Sequence, residues 1–134
     1  LARIFKKVIY VEPNKELLEL AKHNHNLLGS IKVEYQNSTA EKILDSLDKV
    51  DLIYIDPSRR VSNKKVFTLK DSEPNVIDLQ SGIFEKTDHL LIKTSPLLDI
   101  HAALKDLKFP KSVIVVAVDN DVKELLFLTE KPVE

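Results

Sequence analysis

The stretch VDLIYIDPSRR, residues 50–60, decides how this chain reads. A nearly continuous apolar run ends on an acid, a proline, a serine and two adjacent arginines. Such continuity predicts a strand buried on both faces, as in a parallel sheet covered by helices. A strand that only closed a core could stop on any turn residue. This one delivers a carboxylate and two guanidinium groups to one point, which marks a site as well as a chain reversal.

Outward from it, the pattern alternates. KVIYVE (7–12) is a short β-branched strand ending on an acid, and NKELLELAKHNHNLLG (14–29) follows with apolar residues at helical spacing. Asn14 is the expected N-cap, Leu17 and Leu18 are expected in the core, and Gly29 is expected as a left-handed stop. IKVEYQ (31–36) reads as a strand, TAEKILDSLD (39–48) as a short helix, and residues 50–56 as the next strand. After a polar loop, a helix starts near Pro74, HLLIKTS is a strand, LLDIHAALKDL a helix and SVIVVAV a strong strand. Asp119, Asn120 and Asp121 stand between apolar runs like a hairpin turn, so ELLFLTE is expected to return as an antiparallel strand. Strands alternating with helices predict an α/β sandwich with a mostly parallel sheet and an antiparallel C-terminal hairpin.

Composition narrows the function classes. With 134 residues, 43% hydrophobic and 31% charged, the chain has room for one core and is expected to form one domain, 1–134. Twenty basic residues against twenty-one acidic ones leave a net charge of -1, so any attraction for nucleic acid has to be local. The absence of cysteine removes disulfides, thiolate metal sites and thiol catalysis, and fits a reducing cytoplasm. No apolar run approaches the roughly 18 residues that cross a bilayer, and LARIFKKVIYVE lacks the layout of a signal peptide, so no membrane association is expected. His23 and His25 lie two apart on a helix and face different sides, while His89 and His101 have no companions at useful spacing; no metal is expected, and all four are read as surface or capping residues.

In an open parallel sheet, ligands collect at the carboxyl ends of strands. Those ends carry Glu12-Pro13-Asn14, Asn37-Ser38-Thr39-Ala40, Asp56-Pro57-Ser58-Arg59-Arg60 and Lys93-Thr94-Ser95-Pro96. An acid ending a strand, as Glu12 does, can hold both hydroxyls of a ribose; the bland alternative is a solvated strand end. Arg59 and Arg60, with Lys64 and Lys65 nearby, form a local basic patch whose forked donors suit phosphate. An internal ion pair from one arginine to Asp56 is the alternative.

VIYVEPNKELLELAKHN, VEYQNSTAEKIL and VDLIYIDPSRR together resemble the class I S-adenosylmethionine-dependent methyltransferases, and DPSRR and LIKTSPLLDI resemble the bacterial group with an appended THUMP-like domain, whose members are assigned as RNA methyltransferases. The resemblance covers essentially the whole chain. It implies a Rossmann-like fold, S-adenosylmethionine as cofactor and an RNA base as substrate. It also implies cofactor contacts from Glu12, Pro13, Asn14, Ser38, Thr39 and Ala40. Asp56 and Pro57 fall where the superfamily carries its Asp/Asn-Pro-Pro motif, and are the expected catalytic pair, with Ser58, Arg59, Arg60 and Lys64 on the substrate side. Two departures stand out: Thr39 occupies a place often held by aspartate, and Ser58 replaces a second proline or an aromatic.

The glycine-rich loop of such enzymes has no counterpart, because the two glycines, Gly29 and Gly82, make no GxG. The resemblance therefore implies a chain that begins inside the domain, without its first strand. The expectation is then weak cofactor binding, an inactive isolated fragment and self-association through the strand edges left open. A receiver domain phosphorylated on Asp56 and a non-catalytic RNA-binding or scaffolding module are the rival readings; the receiver needs an acidic pair, and Glu12-Pro13 offers one acid.

Overall fold

A computed structural model describes residues 4–29, 32–59 and 68–133, the Arg59 side chain excepted. Arg60, Lys64 and Lys65 lie outside the described residues. Backbone contacts divide the chain into two compact units, Leu1–Ser46 and Leu47–Glu134.

The first unit runs β1 (Val8–Val11), α1 (Lys15–Leu27), β2 (Val33–Gln36) and α2 (Ala40–Ser46). The two strands pair in parallel from Val8 opposite Val33 to Val11 opposite Gln36, the pairing that a helical crossover permits. Asn14 caps α1, its side-chain oxygen accepting the N–H groups of Glu16 and Leu17 at 2.9 and 3.1 Å. Gly29 follows the helix with φ +73°, a conformation that costs glycine nothing.

Two expectations for α1 are corrected. Leu18 is buried, but Leu17 is 52% exposed, because consecutive residues on a helix point about 100° apart and only one of them reaches the strands. His25 is a packing residue in place of a surface one. Its ring stacks on Tyr35 at 5.8 Å, meets Tyr10 edge-on at 5.3 Å, and places Nδ1 3.0 Å from the Tyr35 hydroxyl. Tyr10 and Tyr35 are register partners, so the imidazole spans both strands.

The second unit contains β3 (Ile53–Ile55), β4 (Ser58–Arg59), a 3-10 turn (Leu69–Asp71), β5 (Ser72–Glu73), α3 (Val76–Lys86), β6 (His89–Thr94), α4 (Ile100–Asp106), β7 (Pro110–Val118) and β8 (Asp121–Glu130). Its main sheet has the order β3-β6-β8-β7. β3 is parallel to β6, whereas β8 runs antiparallel to both its neighbours. The hairpin therefore folds back so that the last strand lies between β6 and β7. Asp119 and Asn120 make the reversal possible with φ of 52° and 62°, the left-handed pair that matches the twist of flanking strands.

One sheet face is buried. Leu90, Ile92 and Thr94 of β6 stand opposite Thr129, Phe127 and Leu125 of β8, and all six are inaccessible or nearly so. Val76, Ile83 and Phe84 of α3 and Ala103 of α4 are buried as well, and Phe84 meets Phe109 edge-on at 5.2 Å. Gln80 ties the two helices together: its amide donates to the Asp106 carbonyl at 3.1 Å and its oxygen accepts the Lys108 N–H. The polar groups of a side chain only 1% exposed are thus satisfied.

The strand at 50–56 is shorter than expected and is not buried on both faces. Ile53 and Ile55 align with Leu90 and Ile92 on the covered face and are half-buried, while Tyr54, on the other side, is 39% exposed. Its position at the end of the sheet order leaves β3 one strand partner, as β1 has only β2 among the described residues.

Phe127→Ala is expected to lose about 3–5 kcal/mol in urea denaturation. Asn120→Val, which forces a β-branched residue to positive φ, is expected to lose about 1–2 kcal/mol, whereas Asn120→Gly stays within a few tenths of wild type.

Candidate functional site

Each expected site residue can be built from the strand end that carries it. In the first unit, Glu12 follows β1 directly, and its N–H continues the ladder to the Gln36 carbonyl at 3.1 Å. One carboxylate oxygen accepts the Asn14 N–H at 2.8 Å. That bond aims the half-buried side chain and leaves its second oxygen without a partner among the described residues. Asn37, at the end of β2, donates its amide to the Glu12 and Pro13 carbonyls, both at 2.9 Å. The ends of both strands are thereby locked to each other. Asn37 was visible as a strand-end residue, but its clamp depends on the parallel register of β1 and β2.

Pro13 and Asn14 are exposed, and Ser38, Thr39 and Ala40 are half-buried. Thr39 opens α2: its carbonyl accepts the Ile43 N–H at 3.0 Å and its hydroxyl lies 3.4 Å from the Lys42 N–H. Asn14 and Thr39 each begin a helix, so helix capping alone accounts for their residue types.

In the second unit, Asp56 and Pro57 follow β3. Pro57 is buried and Asp56 is half in solvent, so the ring anchors a turn whose carboxylate stays accessible. Ser58 and Arg59 then pair antiparallel with Glu73 and Ser72, and the Ser58 hydroxyl donates to the Glu73 carbonyl at 3.2 Å. This two-stranded ribbon was hidden in what reads as a polar loop. Its far strand is held by Ser72, whose buried hydroxyl lies within hydrogen-bond distance of the Leu69 and Pro74 carbonyls.

The cation facing Asp56 among the described residues is Lys93. Ile55 aligns with Ile92, so the next residue of each strand comes side by side. Lys93 Nζ lies 2.8 Å from Asp56 and 3.3 Å from Glu124 of β8. Glu124 falls on the same side as Lys93 because Leu126, two residues on, is its register partner. The hydrogen bond to Asp56 holds the lysine above its ordinary pKa, opposed by partial burial and reinforced by the charges of both carboxylates. Burial raises the Tyr54 phenol, and the Asp56 charge two residues along adds to that shift. Neither Lys93 nor Glu124 was singled out with Asp56 by the sequence. The signal was a lysine inside the apolar run HLLIKTS.

Lys93→Met is expected to change stability in urea denaturation by only about 0–1 kcal/mol at neutral pH, because both partners are partly solvated. A raised lysine pKa stabilises the fold below lysine's ordinary range and is lost as pH climbs through the raised value. The wild-type protein should therefore lose that increment in strong alkali, and Lys93→Met should not.

No protein-family model and no curated protein matches the sequence. Among solved structures, a protein of Porphyromonas gingivalis W83 provisionally assigned as a methyltransferase superimposes with TM-score 0.77 and 32% identity over 91% of this chain. The chain spans 30% of that protein. An rRNA methylase from Streptococcus thermophilus superimposes with TM-score 0.62 at 14% identity, over 98% of this chain and 78% of its own. MtNAS in complex with MTA gives 0.57 at 15%, over 94% of this chain and 45% of its own. The structural neighbours thus include methyltransferases, and the architecture is the Rossmann-like α/β sandwich they share.

Proposed function

We propose that this chain carries the ribose-holding and acceptor-side strands of an S-adenosylmethionine-dependent methyltransferase acting on RNA. The observation that supports it most is the Asp56-Pro57 turn, a buried proline and an accessible carboxylate at the carboxyl end of a parallel strand. Likeness at 32% identity to the P. gingivalis protein adds to it, as does the rRNA methylase for the choice of RNA. The finer grouping with the THUMP-associated enzymes, a cytoplasmic location and a single partial domain over 1–134 belong to the same reading. So does the absence of a glycine-rich loop from these residues.

The chemistry of the strand-end residues suits that cofactor. Glu12 stands half-buried at a strand end with one oxygen already oriented by the Asn14 N–H, leaving the other to accept a ribose hydroxyl. Pro13 and Asn14 present an exposed surface beside it, and Ser38, Thr39 and Ala40 form the second strand-to-helix connection. S-adenosylmethionine, when bound, would supply an electrophilic methyl group on a sulfonium, with the neutral thioether as leaving group when the acceptor attacks the methyl in line. The protein's share is alignment, together with a hydrogen-bond acceptor for the attacking amine or hydroxyl. Asp56 and the Pro57 carbonyl are assigned that role. Lys93, 2.8 Å away, holds the Asp56 carboxylate turned along the sheet. Ser58, Arg59, Arg60 and Lys64 are assigned to the RNA side, the arginines and the lysine through phosphate.

Labelled donor and total RNA, offered to the protein that carries these residues, test the reading. Asp56→Asn should cut methyl incorporation by about 100-fold or more while leaving cofactor affinity within about twofold. Glu12→Gln should weaken cofactor binding by about tenfold or more, as expected for a lost charge-assisted hydrogen bond. Transfer at the wild-type rate by Asp56→Asn, or RNA binding with no methyl incorporation by any form, would overturn it.

A further inference from the structure

β8 brings a second carboxylate to the sheet rim that carries Asp56. Pairing between β6 and β8 ends at Thr94 opposite Leu125, so Glu124 stands one residue past it, at the carboxyl end of β6. Its backbone is held from the other side, as the register partner of Val116 on β7. There the ladder breaks. Ala117 pairs with Val122, which leaves Lys123 as an extra residue of β8 directly beside Glu124. Bulges of this kind recur next to sites, where they redirect a side chain. Lys123 itself bonds Asp121, so the cation facing Glu124 among the described residues is Lys93, at 3.3 Å.

Lys93 differs from the other paired lysines. Lys7, Lys70, Lys111 and Lys123 each meet one acid with 52–65% of the side chain in solvent, whereas Lys93 meets two and is 27% exposed. Lysine is a point charge on a flexible stem, so a single acid leaves it several ways to lie. A second acid, from the strand on the other side, removes that freedom. Asp56 needs the support, because it lies past Ile55, the last residue of β3 in register with β6, and Lys93 is its ion-pair partner among the described residues. The Tyr54 phenol, raised first by burial, also feels Asp56, Lys93 and Glu124, which puts all three charges in one neighbourhood.

We propose that Glu124 is a positioning residue for the chemistry at Asp56: it holds the Lys93 ammonium from the β8 side, and Lys93 in turn fixes the direction in which Asp56 meets the acceptor. This role rests on the methyl-transfer reading and brings the C-terminal hairpin into the reaction.

Glu124→Gln keeps the size and removes the charge. It should lower the maximal rate of methyl incorporation about tenfold, as a slight misalignment would, while the KM for the donor stays within about twofold. Its urea midpoint should match that of the wild type. In a Lys93→Met background the same change should cost less than about a further twofold, because the route from Glu124 to Asp56 is already cut. Asp121→Asn removes an equal charge from the same strand and should transfer at the wild-type rate. A readout without turnover follows the lysine itself: acylation by acetic anhydride, located by mass spectrometry, should be severalfold faster at Lys93 in Glu124→Gln than in wild type, with Lys70 of the same molecules as reference. Wild-type transfer by Glu124→Gln, additive losses with Lys93→Met, an equal loss in Asp121→Asn, or unchanged labelling of Lys93 would each overturn this role and leave methyl transfer standing. No incorporation by the wild type would instead sink the methyl-transfer reading, and the role with it.

Discussion

The seam between β6 and β8 is the contact on which the second unit depends. It is the longest register between strands distant in sequence, running from His89 opposite Glu130 to Thr94 opposite Leu125. It aligns three buried residues from each strand on one face. β3 has no other route into the four-stranded sheet than β6, and β7 has none but β8. Without this seam the parallel pair and the hairpin would each be two strands alone, a size that is marginal in water. The left-handed pair Asp119-Asn120 matters for that reason, since it returns the chain into the space beside β6.

The covered face is not purely apolar, and its polar members are satisfied. Thr129 lies 3.3 Å from the Leu90 carbonyl, Gln80 joins α3 to the end of α4, and Ser72 closes the turn before α3. Among the described residues no buried side-chain nitrogen or oxygen lacks a partner. Such groups contribute little net stability when paired but are costly when not, so they disfavour alternative packings in which their partners are misplaced. Gln80 is the clearest case: an apolar residue of similar size would fill the space, yet leave the Lys108 N–H without its acceptor.

The same seam reaches the site. Glu124 is placed beside Lys93 by the β6–β8 register, and Lys93 is placed beside Asp56 by the β3–β6 register. One ammonium thus lies between two carboxylates contributed by strands on either side of it. Partial solvent exposure keeps the energy of these pairs small, so their value lies in orientation. A carboxylate oriented through one oxygen keeps the other out of that bond. Glu12 shows the same economy by a different means, its first oxygen being taken by the backbone two residues on.

Much of this architecture was legible because local signals agreed. Asn14 and Gly29 bracket α1, the spacing of apolar residues separates strands from helices, and Asp119-Asn120 announces a hairpin. The strand-end placement of Glu12 and Asp56 follows from the same alternation. Local pattern could not show that Leu17 faces solvent while Leu18 does not, that His25 packs on two tyrosines, or that Tyr54 leaves one side of β3 open. It also missed the Ser58–Arg59 ribbon, whose partner lies beyond an intervening segment. What the sequence by itself determined is the order of strands and helices and the acids that end two of the strands, because these rest on backbone preference and short-range periodicity. Only the tertiary structure decided that β8 lies between β6 and β7 and that Lys93 is the partner of Asp56. Those facts belong to register between distant strands, and a residue's type carries no record of which neighbour the register will bring.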